Sequence, residues 1–264
     1  MKNSVAYRNI LQKHNNLALK KKHLVFGRHP VLEALQEGQS FEKIFLSSGA
    51  KGAEASKVEK IGREQDIPVQ RVPVQKLNKL CTANHQGMLG ILSQIKYYQI
   101  QDILDQAYSE GRDPLFIVLD HVSDVGNFGA IARTAKCCGV DAIVTPLKGG
   151  ALITGDAIKA SAGALNTLPV CRARFLDEAI ALLKLNGLQI IAADIKGNKN
   201  LHELDMKIPL AIVLGSEDKG LSRKVEEAAD HLFKIPMQSD FDSLNVSVSA
   251  GMILYELMRQ RLLA

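Results

Sequence analysis

Three polar stretches of this chain gather the side chains that could do chemistry. The first, Asp120-His-Val-Ser-Asp-Val-Gly-Asn-Phe-Gly-Ala-Ile-Ala-Arg-Thr-Ala135, sets Asn127 at a turn between Gly126 and Gly129 and Arg133 one to two turns into a following helix. The second, Leu214-Gly-Ser-Glu-Asp-Lys-Gly-Leu221, offers Gly215 for close approach of a ligand to backbone and Glu217 beside it. The third runs from Ile235 to Gly251 and places Ser243 and Asn245 where an apolar helix, Ala250 to Leu263, should begin. Amide, hydroxyl, carboxylate and guanidinium groups together could orient a polar substrate and grip an anion. Each stretch also has a plain structural reading. Arg133 alone is a surface cation, Glu217 an exposed side chain on a glycine turn, and Asp242, Ser243 or Asn245 a helix cap. Capping accounts for one polar residue of the third stretch, whereas a run this polar near a core needs all its groups satisfied.

The elements that must position these stretches follow from hydrophobic pattern. Leu115–Leu119, Ala142–Thr145, Gln189–Ala193 and Leu210–Leu214 are nearly continuous apolar runs, suited to strands buried on both faces of a parallel sheet. Helical segments are expected between them at 129–138, 154–163, 176–185 and 222–229, which makes a doubly wound α/β domain over 114–264. Ile235-Pro236-Met237 reads as a strand end. Ligands in such sheets bind outside the carboxyl ends of strands, where the three polar stretches fall. The small residues of 159–170 fit close helix packing. Ahead of this domain, a smaller α/β pattern occupies 23–95, with helices at 30–35, 54–65 and 74–81 and strands at 43–47, 68–72 and 90–93. Residues 96–113 read as a connector with a helical piece, and 1–22 as a basic flexible arm.

Composition narrows the classes. No apolar run approaches the roughly 20 residues that span a membrane, and the basic N-terminus lacks a hydrophobic signal region, so a cytoplasmic protein with reduced thiols is expected. Cys81, Cys137, Cys138 and Cys171 show no metal spacing, so no metal is expected. Neither a G-x-G-x-x-G fingerprint nor a Walker loop is present, which speaks against a nicotinamide-dependent oxidoreductase. Residues 1–110 hold 16 Lys+Arg against 10 Asp+Glu, and 111–264 hold 17 against 18, so the positive excess lies in the first part. That pattern suits contact with a polyanion, most often nucleic acid, or a solvated tail.

In this order and spacing, Asn127-x-Gly129-x-Ile131-x-Arg133, Leu214-Gly215-x-Glu217-x-x-Gly220-Leu221, and Ile235-Pro236-Met237 with Ser243-Leu244-Asn245-Val246-Ser247 resemble the three signature motifs of the SpoU (TrmH-type) RNA ribose 2′-O-methyltransferases of the SPOUT superfamily. Phe26-Gly-Arg-His-Pro-Val-Leu-Glu-Ala-Leu35 and the Gln86-Gly87 turn resemble the small substrate-binding domain in front of many members. Many relatives carry Pro where Val125 stands and Gly where Asp218 and Ser239 stand.

The resemblance implies a parallel-sheet α/β domain with a trefoil knot, a rarity among folds, preceded by an RNA-binding domain. It implies S-adenosyl-L-methionine as cofactor and a ribose 2′-hydroxyl of RNA as acceptor. Arg133 would handle the hydroxyl proton with the RNA phosphate or clamp that phosphate. Asn127 would hold Arg133 or the substrate, Glu217 would orient Arg133 or a partner loop, and Ser243 and Asn245 would position the hydroxyl and the methionine end of the cofactor. Leu214, Gly215, Ile235, Met237 and Leu244 would bind the cofactor, largely through backbone groups and an apolar slot for adenine. A homodimer is implied, and Met252, Leu254, Tyr255, Met258 and Leu262 form an apolar stripe compatible with it, or with burial inside one subunit. The domain order most resembles enzymes acting on a guanosine of 23S rRNA, with a tRNA ribose methyltransferase second. A catalytically silent RNA-binding homologue is the rival of another class.

Overall fold

The period-two pattern of Ile44, Phe45 and Leu46 sends alternate side chains to opposite faces of a sheet, and this organises the first of two compact units into which the chain divides after Gln94. The computed structural model describes residues 23–238 and 243–262. In the first unit, β1 (Leu24–Phe26), β2 (Phe41–Ser47), β3 (Val69–Val72) and β4 (Met88–Leu92) alternate with helices Arg28–Gln36, Ala53–Glu64 and Val74–Leu80. The sheet order is β1-β4-β2-β3, with β2 and β3 parallel and β4 antiparallel to both its neighbours. Val31, Leu35, Ile44, Leu46 and Val58 are buried on one face, and Phe45, Leu77 and Leu89 on the other.

The second unit holds β5 (Tyr97–Tyr98), β6 (Leu115–Asp120), β7 (Ala142–Pro146), β8 (Val170–Ala173), β9 (Gln189–Ala193), β10 (Lys199–Asn200), β11 (Leu210–Gly215) and β12 (His231–Lys234). They form one parallel sheet, ordered β10-β12-β9-β11-β6-β7-β8-β5. Helices Ile100–Ser109, Leu176–Leu185 and Arg223–Ala228 bury Leu104, Ile180 and Val225 against Phe116, Val118 and Val213 on one face. Helices Val125–Cys137, Gly155–Ala160 and Val246–Leu262 bury Phe128, Ala157 and Ile253 against Ile117, Leu119 and Ile212 on the other. Strands covered on both sides explain the unbroken apolar runs, and β6 is buried at every position. Among the described residues no helix is long and apolar enough to cross a membrane.

The structure departs from the sequence-based expectations at several places. Residues 96–113, expected as a connector, are built into the second unit. Tyr97–Tyr98 pairs with β8, and the following helix buries Ile100, Ile103, Leu104 and Ala107. The i, i+3, i+4, i+7 spacing of those four residues was masked by the polar residues between them. Val170–Ala173, Lys199–Asn200 and His231–Lys234 are strands that apolar runs did not single out. Ile235-Pro236-Met237 lies beyond the end of β12, where Pro236 has no N–H to continue a ladder. The helix expected at 129–138 begins at Val125, because Asp124 Oδ1 accepts the Asn127 N–H at 2.7 Å as an N-cap. Gly126 and Gly129 therefore sit within the helix, where no turn needs them. Gly129 instead lets two helices touch, since a Cβ there would stand 2.5 Å from Ala160 Cβ. The expected arm, 1–22, and Ser239 lie outside the described residues.

Candidate active site

Gly215 and Asp120 are register partners at the carboxyl ends of β11 and β6, so the two loops that follow leave the sheet side by side. The Asp124 cap fixes the first turn of the next helix and aims Asn127 at the neighbouring loop, where Asn127 Nδ2 lies 3.5 Å from Glu217 Oε1. The third polar stretch arrives at the same point. Asn245 Nδ2 donates to Glu217 Oε1 at 2.6 Å and to Asn127 Oδ1 at 3.1 Å, and the Val246 N–H donates to Glu217 Oε1 at 3.1 Å. Asn245 is also the cap of the last helix, its Oδ1 accepting Ser247 N at 3.0 Å and Ser247 Oγ at 2.6 Å. One amide thus caps a helix with its oxygen and ties three loops together with its nitrogen. The carboxylate draws its donors from a helix N-terminus, where negative charge is favoured.

Arg133 stands apart. Six residues beyond Asn127, it is about 240° around the helix and about 9 Å along it. It is exposed, and among the described residues it has no hydrogen-bond or ion-pair partner. Neither Asn127 nor Glu217 bonds it; Glu217 holds the partner loop through Asn245, the second of the two contacts expected of it, and Asn127 also binds Asn245. Ser243 is exposed at the approach to the last helix.

Beside the Asn127–Glu217–Asn245 cluster opens a cleft of about 640 Å³. Leu214, Gly215, Ile235, Met237 and Leu244 all line it, as do Glu217 and Ser243. Gly215 is required by the loop fold, because a Cβ there would stand 2.5 Å from the Gly220 backbone carbonyl carbon. Gly220 turns back on Ser216 with a left-handed φ of 62° and a 2.8 Å hydrogen bond to its carbonyl. Asp194, Ile195 and Lys196, together with Asn200, form a wall that the motifs did not flag. The signal was present, since these residues follow the carboxyl end of the apolar run Gln189–Ala193, the position where ligands bind in such sheets. Lys219 and Lys234 add positive charge to the rim. Asp218 is exposed, and Val125 opens its helix without distorting it. Among the described residues no three His, Cys, Asp or Glu side chains converge on a metal position. Cys171, the buried thiol, is pushed up to about 12 by burial and so stays protonated.

In the first unit the Gly27–Leu35 segment and the Gln86-Gly87 turn meet. Arg28 Nε donates to the Gln86 carbonyl at 3.3 Å, and Arg28 Nη1 pairs with Glu54 at the same distance.

Residues 114–255 match the SpoU rRNA Methylase family, and residues 24–98 match the RNA 2′-O ribose methyltransferase substrate binding family. The chain is 33% identical over 237 residues to YacO of Bacillus subtilis (strain 168), a protein named for the TrmH family of tRNA/rRNA methyltransferases. That alignment covers 90% of this chain and 95% of the relative. In fold it is similar to the SpoU methyltransferase AviRb from Streptomyces viridochromogenes, solved in complex with AdoMet, at a TM-score of 0.59, 21% identity and 91% coverage of each chain. It is similar also to the AdoMet-bound rRNA methyltransferase from Sinorhizobium meliloti, at a TM-score of 0.58 and 24% identity over 94% of this chain and 90% of that one. With both units matched and the three polar loops joined by the hydrogen bonds among Asn127, Glu217 and Asn245, the chain belongs to the SpoU rRNA methylase family of RNA 2′-O-ribose methyltransferases.

Proposed function

We propose that this protein transfers a methyl group from S-adenosyl-L-methionine to the ribose 2′-hydroxyl of a guanosine in 23S rRNA, acting in the cytoplasm as a knotted homodimer. The observation that carries the reading is the cleft walled by Gly215, Glu217, Ile235 and Leu244, where Glu217 is held by Asn245 and so joins the cleft to the Asn127–Glu217–Asn245 cluster.

The cleft fits the cofactor. Its volume lies within the range of small-molecule sites. Leu214, Ile235 and Leu244 would provide an apolar slot for adenine, and Gly215 leaves backbone open to a ligand. Asp194, Asn200 and Ser243 would offer hydrogen bonds to hydroxyl and amino groups. When bound, the cofactor supplies an electrophilic methyl on sulfonium. Glu217 and Asn245 hold the last helix and the walls of the cleft in register, so that acceptor oxygen and methyl can be brought in line. Arg133, exposed and without a hydrogen-bond or ion-pair partner among the described residues, clamps the phosphate beside the target ribose, a task that suits a planar fork of donors.

The RNA substrate agrees with the positive excess of the first 110 residues. For the dimer, Val248, Met252, Tyr255 and Leu262 are exposed on the last helix, while Leu254 of the same expected stripe is buried inside the subunit. Four large exposed apolar groups on one helix support a second copy as their cover.

Incubating purified protein with tritiated S-adenosyl-L-methionine and total RNA from cells lacking it tests the reading. Label should appear in 23S rRNA at an alkali-resistant linkage. Label in tRNA with rRNA blank would move the target to tRNA, and cofactor binding with no label in any RNA would leave a silent RNA-binding homologue.

A further inference from the structure

We propose that one face of the first unit's sheet carries an unpaired stretch of the substrate RNA, with a phosphate held by Lys43 and Lys76 and a base stacked on Phe26. The inference rests on the methyltransferase reading above, which makes RNA the substrate.

The two faces of that sheet are covered unequally. Helices Arg28–Gln36 and Ala53–Glu64 bury Val31, Leu35 and Val58 against one of them. Among the described residues the other face receives one short helix, Val74–Leu80, which buries Leu77 there. Register and alternation put Leu24 and Phe26 of β1, Leu89 and Ile91 of β4, and Lys43 and Phe45 of β2 on this second face. Phe45 and Leu89 are buried, Leu24 and Ile91 are half-buried, and Phe26, on the edge strand β1, is 40% exposed.

Lys43 Nζ, from β2, and Lys76 Nζ, from the short helix, stand 5.8 Å and 5.4 Å from the centroid of the Phe45 ring. The ring attracts each ammonium, but the two cations repel each other. Neither makes an ion pair or a hydrogen bond among the described residues. Other cations of the unit are paired: Arg28 with Glu54, Lys60 with Glu64 and Arg71 with Glu59. Two converging cations without a counter-charge favour one anion between them, and phosphate is the anion that RNA brings. The exposed ring selects the form of that RNA. Bases in a duplex are stacked on each other, whereas an unpaired base can lie on an aromatic side chain. Cations for the backbone beside an aromatic platform for bases is the composition of a single-strand site. Phe26 and Phe45 both stand opposite Leu89, two strand spacings or about 10 Å apart, so one short stretch of RNA reaches both contacts.

The test uses the full-length protein with single-stranded poly(U) and duplex poly(A)·poly(U), by filter binding over a salt series, and then methyl transfer to the RNA that the wild type labels. Lys43→Gln with Lys76→Gln should weaken poly(U) binding about tenfold at low salt and make the salt dependence shallower by about 0.7, the loss of one single-strand phosphate contact. Phe26→Ala should weaken poly(U) binding about 5- to 100-fold with the salt dependence unchanged, and Phe26→Tyr should restore it. Duplex affinity should not respond to Phe26→Ala. For both sets the RNA concentration at half-saturation should rise while the rate at saturating RNA holds, because the site binds substrate and touches no reacting atom. Lys57→Gln with Lys60→Gln, on the helix over the opposite face, removes the same charge and should leave binding unchanged. The lysine arm stands even if Phe26→Ala fails to fold.

The assignment is overturned if the Lys43 and Lys76 substitutions leave affinity and salt dependence as in wild type, if the Lys57 and Lys60 pair weakens binding equally, or if folded Phe26→Ala binds poly(U) normally. Loss of self-association in sedimentation, with RNA affinity unchanged, would give the face to a second copy instead. A wild type that binds poly(U) with these responses but labels no RNA would overturn the methyltransferase reading alone. A wild type that labels RNA while every variant binds normally would overturn this assignment alone, and one that binds no RNA would overturn both.

Discussion

The two ends of the last helix, Val246–Leu262, are fastened in contrasting ways. At its C-terminal end Arg261, half-buried, donates to the carbonyls of Met206 at 3.0 Å, Ile208 at 2.9 Å and Asp113 at 3.4 Å. Gln260 exchanges hydrogen bonds with Met206 N and Leu204 O, each at 3.0 Å. At its N-terminal end the fastening is the Glu217 carboxylate with Asn245 and Val246 N, and Glu217 and Asn245 are exposed at the mouth of the cleft. Both ends bond to distant parts of the chain. The C-terminal anchor is filled by protein carbonyls and leaves nothing for a ligand, and burial holds the Arg261 pKa below its ordinary value, a cost its carbonyl partners offset. An exposed cluster contributes little to stability on its own. Four polar groups kept together there make sense when they also hold the walls of a binding site.

That contrast breaks most sharply at Glu217. Glu217→Ala should slow single-turnover methyl transfer about 10²- to 10³-fold, because misplacing the site by a fraction of a helical turn forfeits in-line geometry. Its cost in urea unfolding should stay near ~1 kcal/mol, as for other exposed hydrogen bonds. A large loss of stability with a small loss of rate would make the N-terminal fastening a mere anchor like the other. Arg133→Ala comes next. It should cost about 10²-fold in rate, raise the RNA concentration needed for half-saturation, and leave the unfolding midpoint unchanged, since Arg133 is exposed and makes no hydrogen bond or ion pair among the described residues. A drop in midpoint would show that the residue has a structural partner after all.

What the residues disclosed in advance follows the same line. The doubly wound sheet was legible because β6, β7, β9 and β11 are buried on both faces, so their runs are continuous. β8 and β12 were not, because Arg172, His231 and Lys234 interrupt them and parallel pairing at a distance supplies the order. The cleft residues Leu214, Gly215, Ile235, Met237 and Leu244 were legible as motif positions, and all five line one cavity. Of the two expectations for Glu217, the contact with a partner loop is the one the hydrogen bonds match, and for Asn127 the contact with Arg133 is not made. Linear spacing puts Arg133 close to Asn127, but helical geometry turns it away, and the partner that reaches Asn127 lies 118 residues later. No local pattern encodes that distance.

At the other end, Arg261→Ala should lower stability by about 2 kcal/mol by leaving half-buried carbonyls without a charged donor. Methyl transfer at a temperature where the variant remains folded should stay within about twofold of wild type. A tenfold loss of rate under those conditions would mean that the C-terminal anchor also sets the geometry of the cleft, and the two ends would no longer differ in kind.

The smallest expected effect is a pH dependence confined to the anchored end. Glu256 pairs with Arg259 at 2.7 Å and accepts from Gln260 at 2.8 Å, and these hydrogen bonds, that of Arg259 first, hold its pKa at about 2 in the folded protein. A folded pKa below the unfolded one contributes stability that is fully present above the ordinary glutamate range and is lost as the pH falls through about 2. Urea unfolding between about pH 5 and 2 should therefore show a shallower fall in stability for Glu256→Gln than for wild type, with the two curves closest at the acid end. The amide introduced by that substitution would keep the contact with Gln260 but not the ion pair, so the difference at neutral pH should be a few tenths of a kcal/mol up to about 1. Because the pair lies three turns from Asn245, neither the rate of methyl transfer nor its own pH profile should move with this substitution. Parallel curves for the two proteins across the acid range would show that the Glu256 carboxylate is solvated in solution and that Arg261 and Gln260 hold this end without it.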